Sequence, residues 1–85
     1  MEKIEIYNII KKELVSRYSL DENNFDYKTN IQKDIVIDSL GITELSVYIE
    51  EIFDIVVSDD ELYNCKTVED MVDLIYKKME KNNGK

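Results

Sequence analysis

Apolar side chains recur at helical spacing near the start of the chain. Between about Lys3 and Tyr18 they return every fourth residue, while charged side chains fall on the other faces. This stripe consists of Ile6, Ile10, Leu14 and Tyr18, and it is widened by Tyr7 and Ile9. The spacing predicts a first amphipathic helix.

A second helix is predicted from Ser39 to about Phe53. Asp38 precedes it, and a carboxylate at that position can accept hydrogen bonds from the unpaired backbone N–H groups of the first turn. The predicted apolar stripe of this helix is Leu45, Ile49, Ile52 and Phe53.

Two capping motifs mark the last part of the chain. Residues 58–61, Ser-Asp-Asp-Glu, form a capping box that predicts a brief third helix through Leu62 and Cys65. Residues 67–70, Thr-Val-Glu-Asp, resemble a second such box and predict the start of a final helix. The apolar positions of that final helix are Val68, Val72, Ile75 and Met79.

The stretch from Ser19 to about Val36 has no sustained period and is predicted to be a long loop. The side chains expected to pin it to the core are Phe25, Ile31 and Ile35. Proline is absent and glycine occurs twice, so few residues interrupt helices or supply tight turns. We therefore expect an all-α fold, a bundle of three to four helices in one domain over residues 1–81, with residues 82–85 frayed.

Composition excludes several classes of function. The 85 residues leave room for one small domain with a thin core, and no apolar run approaches the roughly 20 residues that span a bilayer. Histidine is absent and Cys65 is the single cysteine, which argues against zinc sites, histidine-based catalysis and internal disulfides. We expect no catalytic residue and no metal site, and we interpret Cys65 as a small core side chain in a cytoplasmic protein.

The negative charge is concentrated in one part of the chain. The formal net charge is -8, yet residues 34–65, here called the acidic segment, contain nine Asp and Glu residues and no Lys or Arg. The rest of the chain therefore carries a net +1. Such a field repels nucleic acid and anionic membranes, so basic protein partners are expected.

Ser39 is the residue to which chemistry is most readily assigned. As the first residue of the second predicted helix, it would present its hydroxyl at the positive end of the helix dipole, where an attached phosphate is favoured. A plain first-turn serine is the alternative. Because no histidine can activate the hydroxyl, any reaction at Ser39 must be driven by another protein.

The order of the motifs resembles the acyl carrier proteins over nearly the whole chain. Asp38-Ser39-Leu40 precedes a helix that contains Glu44-Leu45 and ends in Glu-Glu-x-Phe at residues 50–53. The acidic turn at residues 58–61 and the helix that starts at Thr67-Val68 follow in the same order. The resemblance implies a small helical bundle of the acyl-carrier-protein type.

It also implies that Ser39 carries a 4'-phosphopantetheine arm, installed from coenzyme A by a phosphopantetheinyl transferase, with Asp38 assisting that encounter. Acyl groups would be held on the arm as thioesters, so the chain would be a monomeric carrier and not an enzyme. The further partners implied are acyl- or aminoacyl-loading ligases or transferases, and downstream synthase enzymes with basic docking patches.

Two further sets of residues follow from the resemblance. A docking surface on the second helix would be formed by Leu40, Glu44, Val47, Glu50 and Glu51. A cleft that shelters the acyl chain would be lined by Leu45, Ile49, Leu62, Val68, Met71 and Ile75. Simple core packing is the alternative for each of these six side chains.

The cargo is predicted to be fatty or polyketide acyl groups. Val36-Ile37 stands where fatty-acid carriers usually have Gly-Ala, and Gly41 stands where they commonly have an acid. These departures weaken the fatty-acid assignment and are more like carriers of specialised pathways, which include polyketide carriers. The acidity and the Glu-Glu-x-Phe segment keep fatty or polyketide acyl groups as the first choice, and the alternative is a stand-alone aminoacyl, peptidyl or D-alanyl carrier of a specialised pathway.

Rival classes fit the residues less well. A calcium site at Asp54, Asp59, Asp60 and Glu61 lacks the alternating ligands and central glycine of an EF-hand loop. An acidic module that only binds a basic partner would need no modification of Ser39, and a hydrolase lacks the required base.

Overall fold

The computed structural model describes residues 1–83, which form an all-α fold as predicted. The helices of this part are α1 (Lys3–Tyr18), α2 (Ser39–Phe53), α3 (Asp59–Tyr63) and α4 (Val68–Asn83), with a 3₁₀ turn at Glu22–Asn24. An isolated bridge joins Asn30 to Thr67. Within residues 1–83, no helix has both the length and the apolar character needed to cross a bilayer.

Two helix ends differ from the sequence prediction. Helix α3 ends at Tyr63, before Cys65, and Asn64 follows as its C-terminal cap. Helix α4 continues to Asn83, so the first half of the predicted frayed tail is helical. Residues 84 and 85, the rest of that tail, lie outside the described residues.

Both predicted capping boxes are confirmed. The Ser58 hydroxyl accepts from the Glu61 backbone N–H at 3.1 Å, and the Glu61 carboxylate accepts from the Ser58 N–H at 3.0 Å. At the start of α4, Thr67 Oγ1 accepts from the Asp70 N–H and Asp70 accepts from the Thr67 N–H, both at 3.2 Å. These reciprocal bonds satisfy backbone donors that the first helical turn leaves unpaired.

The core lies where the helical stripes face one another. On α1, the stripe residues Ile6, Ile10 and Leu14 are fully buried. The three predicted loop anchors are also buried, namely Phe25, Ile31 and Ile35. The core prediction is thus confirmed for α1 and the loop.

The stripe predicted for α2 is wrong at Ile52, whose side chain is 49% exposed. Helix α2 buries Ile42 and Ser46 together with Leu45, Ile49 and Phe53. Ile52 lies at the margin of that buried face and in the last turn of the helix, where few neighbouring elements cover it.

Backbone hydrogen bonds hold the long loop against the start of α4. The Ile31 N–H donates to the Lys66 carbonyl at 2.9 Å, and the Val68 N–H donates to the Thr29 carbonyl at 3.0 Å. These bonds anchor the chain a few residues before α2 begins, so the start of α2 is positioned by backbone as well as by side chains.

Val36 has a strained backbone. Its φ angle is 61°, in the left-handed region that is unfavourable for a β-branched residue, and its side chain is 70% exposed. The Ile37 N–H nevertheless donates to the Ile31 carbonyl at 3.3 Å, which closes the turn around this conformation. The position therefore suits glycine better than valine.

Replacing Val36 with glycine should stabilise the fold by about 1 kcal/mol, because relief of the left-handed strain exceeds the added chain entropy of glycine. Urea unfolding followed by circular dichroism measures the change. Val56→Gly is the matched control, since Val56 is 79% exposed and is not among the residues with positive φ. The control should lose stability; an equal loss in both variants would contradict strain at Val36.

Cys65 is a buried core residue, as predicted. Its side chain is 5% exposed, and its thiol donates to the Glu61 carbonyl at 3.5 Å. Burial raises the pKa of the Cys65 thiol to about 11, and the nearby Asp70 and Glu61 carboxylates add to the shift.

We expect Cys65 to resist thiol reagents in the folded protein. A raised pKa lowers the thiolate fraction at pH 8, and the thiolate is the reactive form. Iodoacetamide labelling followed by mass spectrometry should give almost no modification at pH 8 and complete modification in denaturant. Rapid labelling under native conditions would show that the thiol is accessible.

Candidate functional site

Ser39 is the first residue of α2, and Asp38 is its N-cap. The Asp38 carboxylate accepts from the Gly41 backbone N–H at 2.8 Å, which confirms the predicted capping role. Ser39 is exposed, and its carbonyl accepts from the Thr43 hydroxyl at 3.2 Å. Its side chain is therefore open to a macromolecule approaching from solvent.

Gly41 lets the Tyr18 side chain from the end of α1 approach the first turn of α2. A Cβ atom at this position would lie 2.7 Å from the Tyr18 hydroxyl oxygen and 2.8 Å from Ile37 Cγ2. A larger side chain therefore does not fit unless the Tyr18 and Ile37 side chains move. Burial raises the pKa of the Tyr18 hydroxyl, which is packed here at the end of α1.

Four of the five predicted docking residues share one exposed face of α2. Leu40, Glu44, Val47 and Glu51 follow one another at spacings of four, three and four residues, which places them on the same side of a helix. Leu40 is 67% exposed and Val47 is 49% exposed. We call these four residues the α2 outer face.

Glu50, the fifth predicted docking residue, has a role within the fold. Its carboxylate accepts from the Val57 backbone N–H at 2.8 Å, and the side chain is half-buried. The bond ties α2 to the turn that leads into α3. Sequence reasoning missed this contact because it joins residues seven positions apart across a helix end.

Sequence reasoning also missed a cation next to the α2 outer face. The Arg17 guanidinium at the end of α1 donates to Glu13 through Nε at 2.7 Å and also through Nη2. Its Nη1 lies 3.6 Å from Glu44 Oε1. The hydrogen bond to Glu13 raises the pKa of Arg17. The i,i+4 spacing of Glu13 and Arg17 is visible in the sequence, but the reach to Glu44 depends on helix packing.

A shallow cavity of about 370 Å³ lies between Arg17 and the α2 outer face. Its lining residues are Arg17, Thr43, Glu44, Val47, Tyr48 and Glu51. The cavity combines an apolar floor with charges of both signs.

Several acids of the acidic segment are bound within the fold. Asp59 accepts from the Thr43 hydroxyl at 2.9 Å and from the Ser46 hydroxyl at 3.0 Å, which joins α3 to α2. Lys78 lies 2.7 Å from Glu61, and this ammonium lowers the pKa of the Glu61 carboxyl. Among residues 1–83, no group of His, Cys, Asp or Glu side chains is arranged to hold a metal ion.

The six residues predicted to line an acyl cleft are fully buried in the core. Leu45, Ile49, Leu62, Val68, Met71 and Ile75 each have 0% exposure. They pack as ordinary core residues do, and an acyl chain could enter among them only if the helices that carry them separated.

The geometry at Ser39 fits a phosphopantetheine group. The N-terminal turn of α2 offers a positive dipole end where the phosphate would be attached, and the exposed hydroxyl leaves space for a long substituent. When bound, this group supplies a terminal thiol that carries acyl groups as thioesters.

Comparisons with known proteins agree with this site. A family model described as "phosphopantetheine attachment site" matches residues 8–75. The chain is 41% identical over 70 residues to an acyl carrier protein of Phytoplasma australiense, covering 82% of this chain and 92% of that protein. It is 31% identical over 75 residues to an acyl carrier protein of Coprothermobacter proteolyticus, covering 88% and 92%.

A third relative, an acyl carrier protein of Petrotoga mobilis, is 32% identical over 79 residues, covering 93% of each chain. The match thus extends across all four helices and includes Ser39 within the phosphopantetheine attachment model. On these grounds the chain belongs to the acyl carrier protein family, and it is a phosphopantetheine-dependent carrier and not an enzyme.

Proposed function

We propose that Ser39 is the attachment point of the 4'-phosphopantetheine group and that the chain carries acyl intermediates of fatty acid or polyketide-type biosynthesis. The observation that carries this proposal is the exposed Ser39 side chain at the first position of α2, held there by the Asp38 cap. The hydroxyl receives the phosphate, and the helix dipole stabilises the resulting negative charge.

Asp38 acts through the backbone. By accepting from the Gly41 N–H, it fixes the first turn of α2 and so holds Ser39 in a constant orientation. The partner enzyme then meets a rigid turn instead of a flexible loop, which lowers the entropy cost of docking.

The α2 outer face is proposed to dock the partner enzymes. Leu40 and Val47 are exposed apolar side chains that a partner can contact. Glu44 lies between them on this face and Glu51 follows Val47, so both acids add negative charge to the same surface. These charges attract partners with basic patches, and they raise the association rate more than they slow dissociation. This suits a carrier visited in turn by a phosphopantetheinyl transferase, a loading enzyme and downstream synthases.

Local packing removes one argument for aminoacyl cargo. Gly41 departs from the acid common in fatty-acid carriers, but the Tyr18 hydroxyl already occupies the space that a side chain would need. The departure therefore has a structural cause and needs no change of cargo to explain it. The relatives named above are acyl carrier proteins, which supports the same choice. Thioester identification on protein from its native cell distinguishes the two cargoes.

Incubation with coenzyme A, Mg²⁺ and a broad-specificity phosphopantetheinyl transferase should add the mass of one phosphopantetheine group. Intact-protein mass spectrometry measures the gain, and Ser39→Ala should abolish it because the accepting hydroxyl is gone. Thr43→Ala is a matched control that removes a neighbouring exposed hydroxyl from the same helix. Full modification of the Ser39→Ala variant would place the group elsewhere.

Glu44→Lys should lower kcat/KM for the same transferase by about three- to tenfold, since it reverses a charge that attracts a basic partner. The domain should stay folded, because Glu44 is exposed. Single-turnover transfer assays measure the rate, and Glu80→Lys on α4 controls for net charge. Equal rates in both variants would remove Glu44 from the docking surface.

A further inference from the structure

Arg17 is a cation placed against a surface that is otherwise acidic. The acidic segment contains no Lys or Arg of its own, so positive charge near α2 must come from other parts of the chain. At the outer face of α2 that charge is the Arg17 guanidinium, 3.6 Å from Glu44 and on the wall of the same cavity as Val47 and Glu51.

The guanidinium is held there by α1 itself. Glu13 accepts from two of its nitrogens, which orients the planar group and leaves Nη1 directed at Glu44. Glu44 therefore has an intramolecular partner before any enzyme arrives. An approaching basic side chain must displace that partner and is also repelled by it.

We propose that Arg17 is a specificity-determining residue that weakens docking of basic partners at Glu44. The inference rests on the proposed docking function of the α2 outer face. The two acids of the α2 outer face therefore differ in effective charge. Arg17 partly neutralises Glu44, whereas Glu51 has no basic side chain in contact within residues 1–83. A basic partner gains more attraction at the Glu51 end than at the Glu44 end.

The test is the rate of phosphopantetheine transfer to Ser39 by a broad-specificity transferase with coenzyme A and Mg²⁺. Arg17→Gln should raise kcat/KM by about two- to fivefold at low ionic strength, and high salt should erase the gain. Lys12→Gln is the matched control, since it makes the same charge change on an exposed position of α1. Arg17→Lys keeps the charge but loses the forked contact with Glu13, so it should give a gain smaller than that of Arg17→Gln.

The coupling to Glu44 separates a direct effect from a change in net charge. In a Glu44→Gln background, the gain from Arg17→Gln should fall to the level of the Lys12→Gln control. Circular dichroism confirms that each variant is folded before its rate is measured. A coupled, salt-sensitive gain is not expected if Arg17 merely stabilises α1.

Two results overturn the inference in distinguishable ways. Equal rates for Arg17→Gln and Lys12→Gln, or a gain that persists undiminished without Glu44, overturn the role of Arg17 alone. Absence of transfer to Ser39 in every variant, including the wild type, overturns the proposed function and this inference with it.

Discussion

The packing of the Tyr18 hydroxyl beside Gly41 links the end of α1 to the first turn of α2, where Ser39 lies. With no side chain at Gly41, the Tyr18 hydroxyl can pack against the turn that begins at Ser39. The Asp38 cap stabilises the same turn from the loop side. Because interiors are close-packed, a side chain at Gly41 would have to displace the Tyr18 hydroxyl or the Ile37 methyl group. Arg17, the residue before Tyr18, lies within reach of Glu44. The end of α1 thus contacts the turn that carries Ser39 and contributes a positive charge beside Glu44.

Local sequence patterns predict the helices of this fold, but they do not predict the contacts between helices. Period-four spacing is enough for α1 because its stripe is unbroken, and the capping boxes at Ser58 and Thr67 mark helix starts through bonds between residues three apart. The place of Ser39 at the start of α2 is predictable for the same reason, since its cap, Asp38, is the preceding residue. The exposure of Ile52 depends on which elements cover the last turn of α2, and periodicity does not encode that. The Arg17–Glu44 pair likewise exists only after packing.

Backbone strain falls at one of the positions where the sequence departs from the fatty-acid carriers. Val36 occupies a left-handed conformation where glycine is usual in that group, and it does so three residues before Ser39. The conformation persists because the loop is fixed on both sides of it, by the bond from Ile31 to Lys66 and by the N-cap at Asp38. The strain at Val36 lowers the stability of a small domain with a thin core, in which about 1 kcal/mol is a substantial part of the free energy of unfolding.

Lys78 and Arg17 both reach the acidic segment from outside it, and their environments differ. Lys78 donates to the Val56 carbonyl at 2.9 Å and to Glu61 at 2.8 Å, so it joins α4 to the turn before α3 and to α3 itself. Removing it would leave a backbone acceptor without this donor, which marks it as structural. Arg17 meets Glu44 at the longer distance of 3.6 Å, and the Glu44 side chain is 57% exposed, so the pair contributes little to stability. On the proposed role of Arg17, an incoming basic side chain is therefore opposed by the charge of the guanidinium and not by the loss of a contact that the fold needs. The Glu61 carboxylate is bound into the fold by Lys78, whereas Glu44 stays on the exposed side of α2.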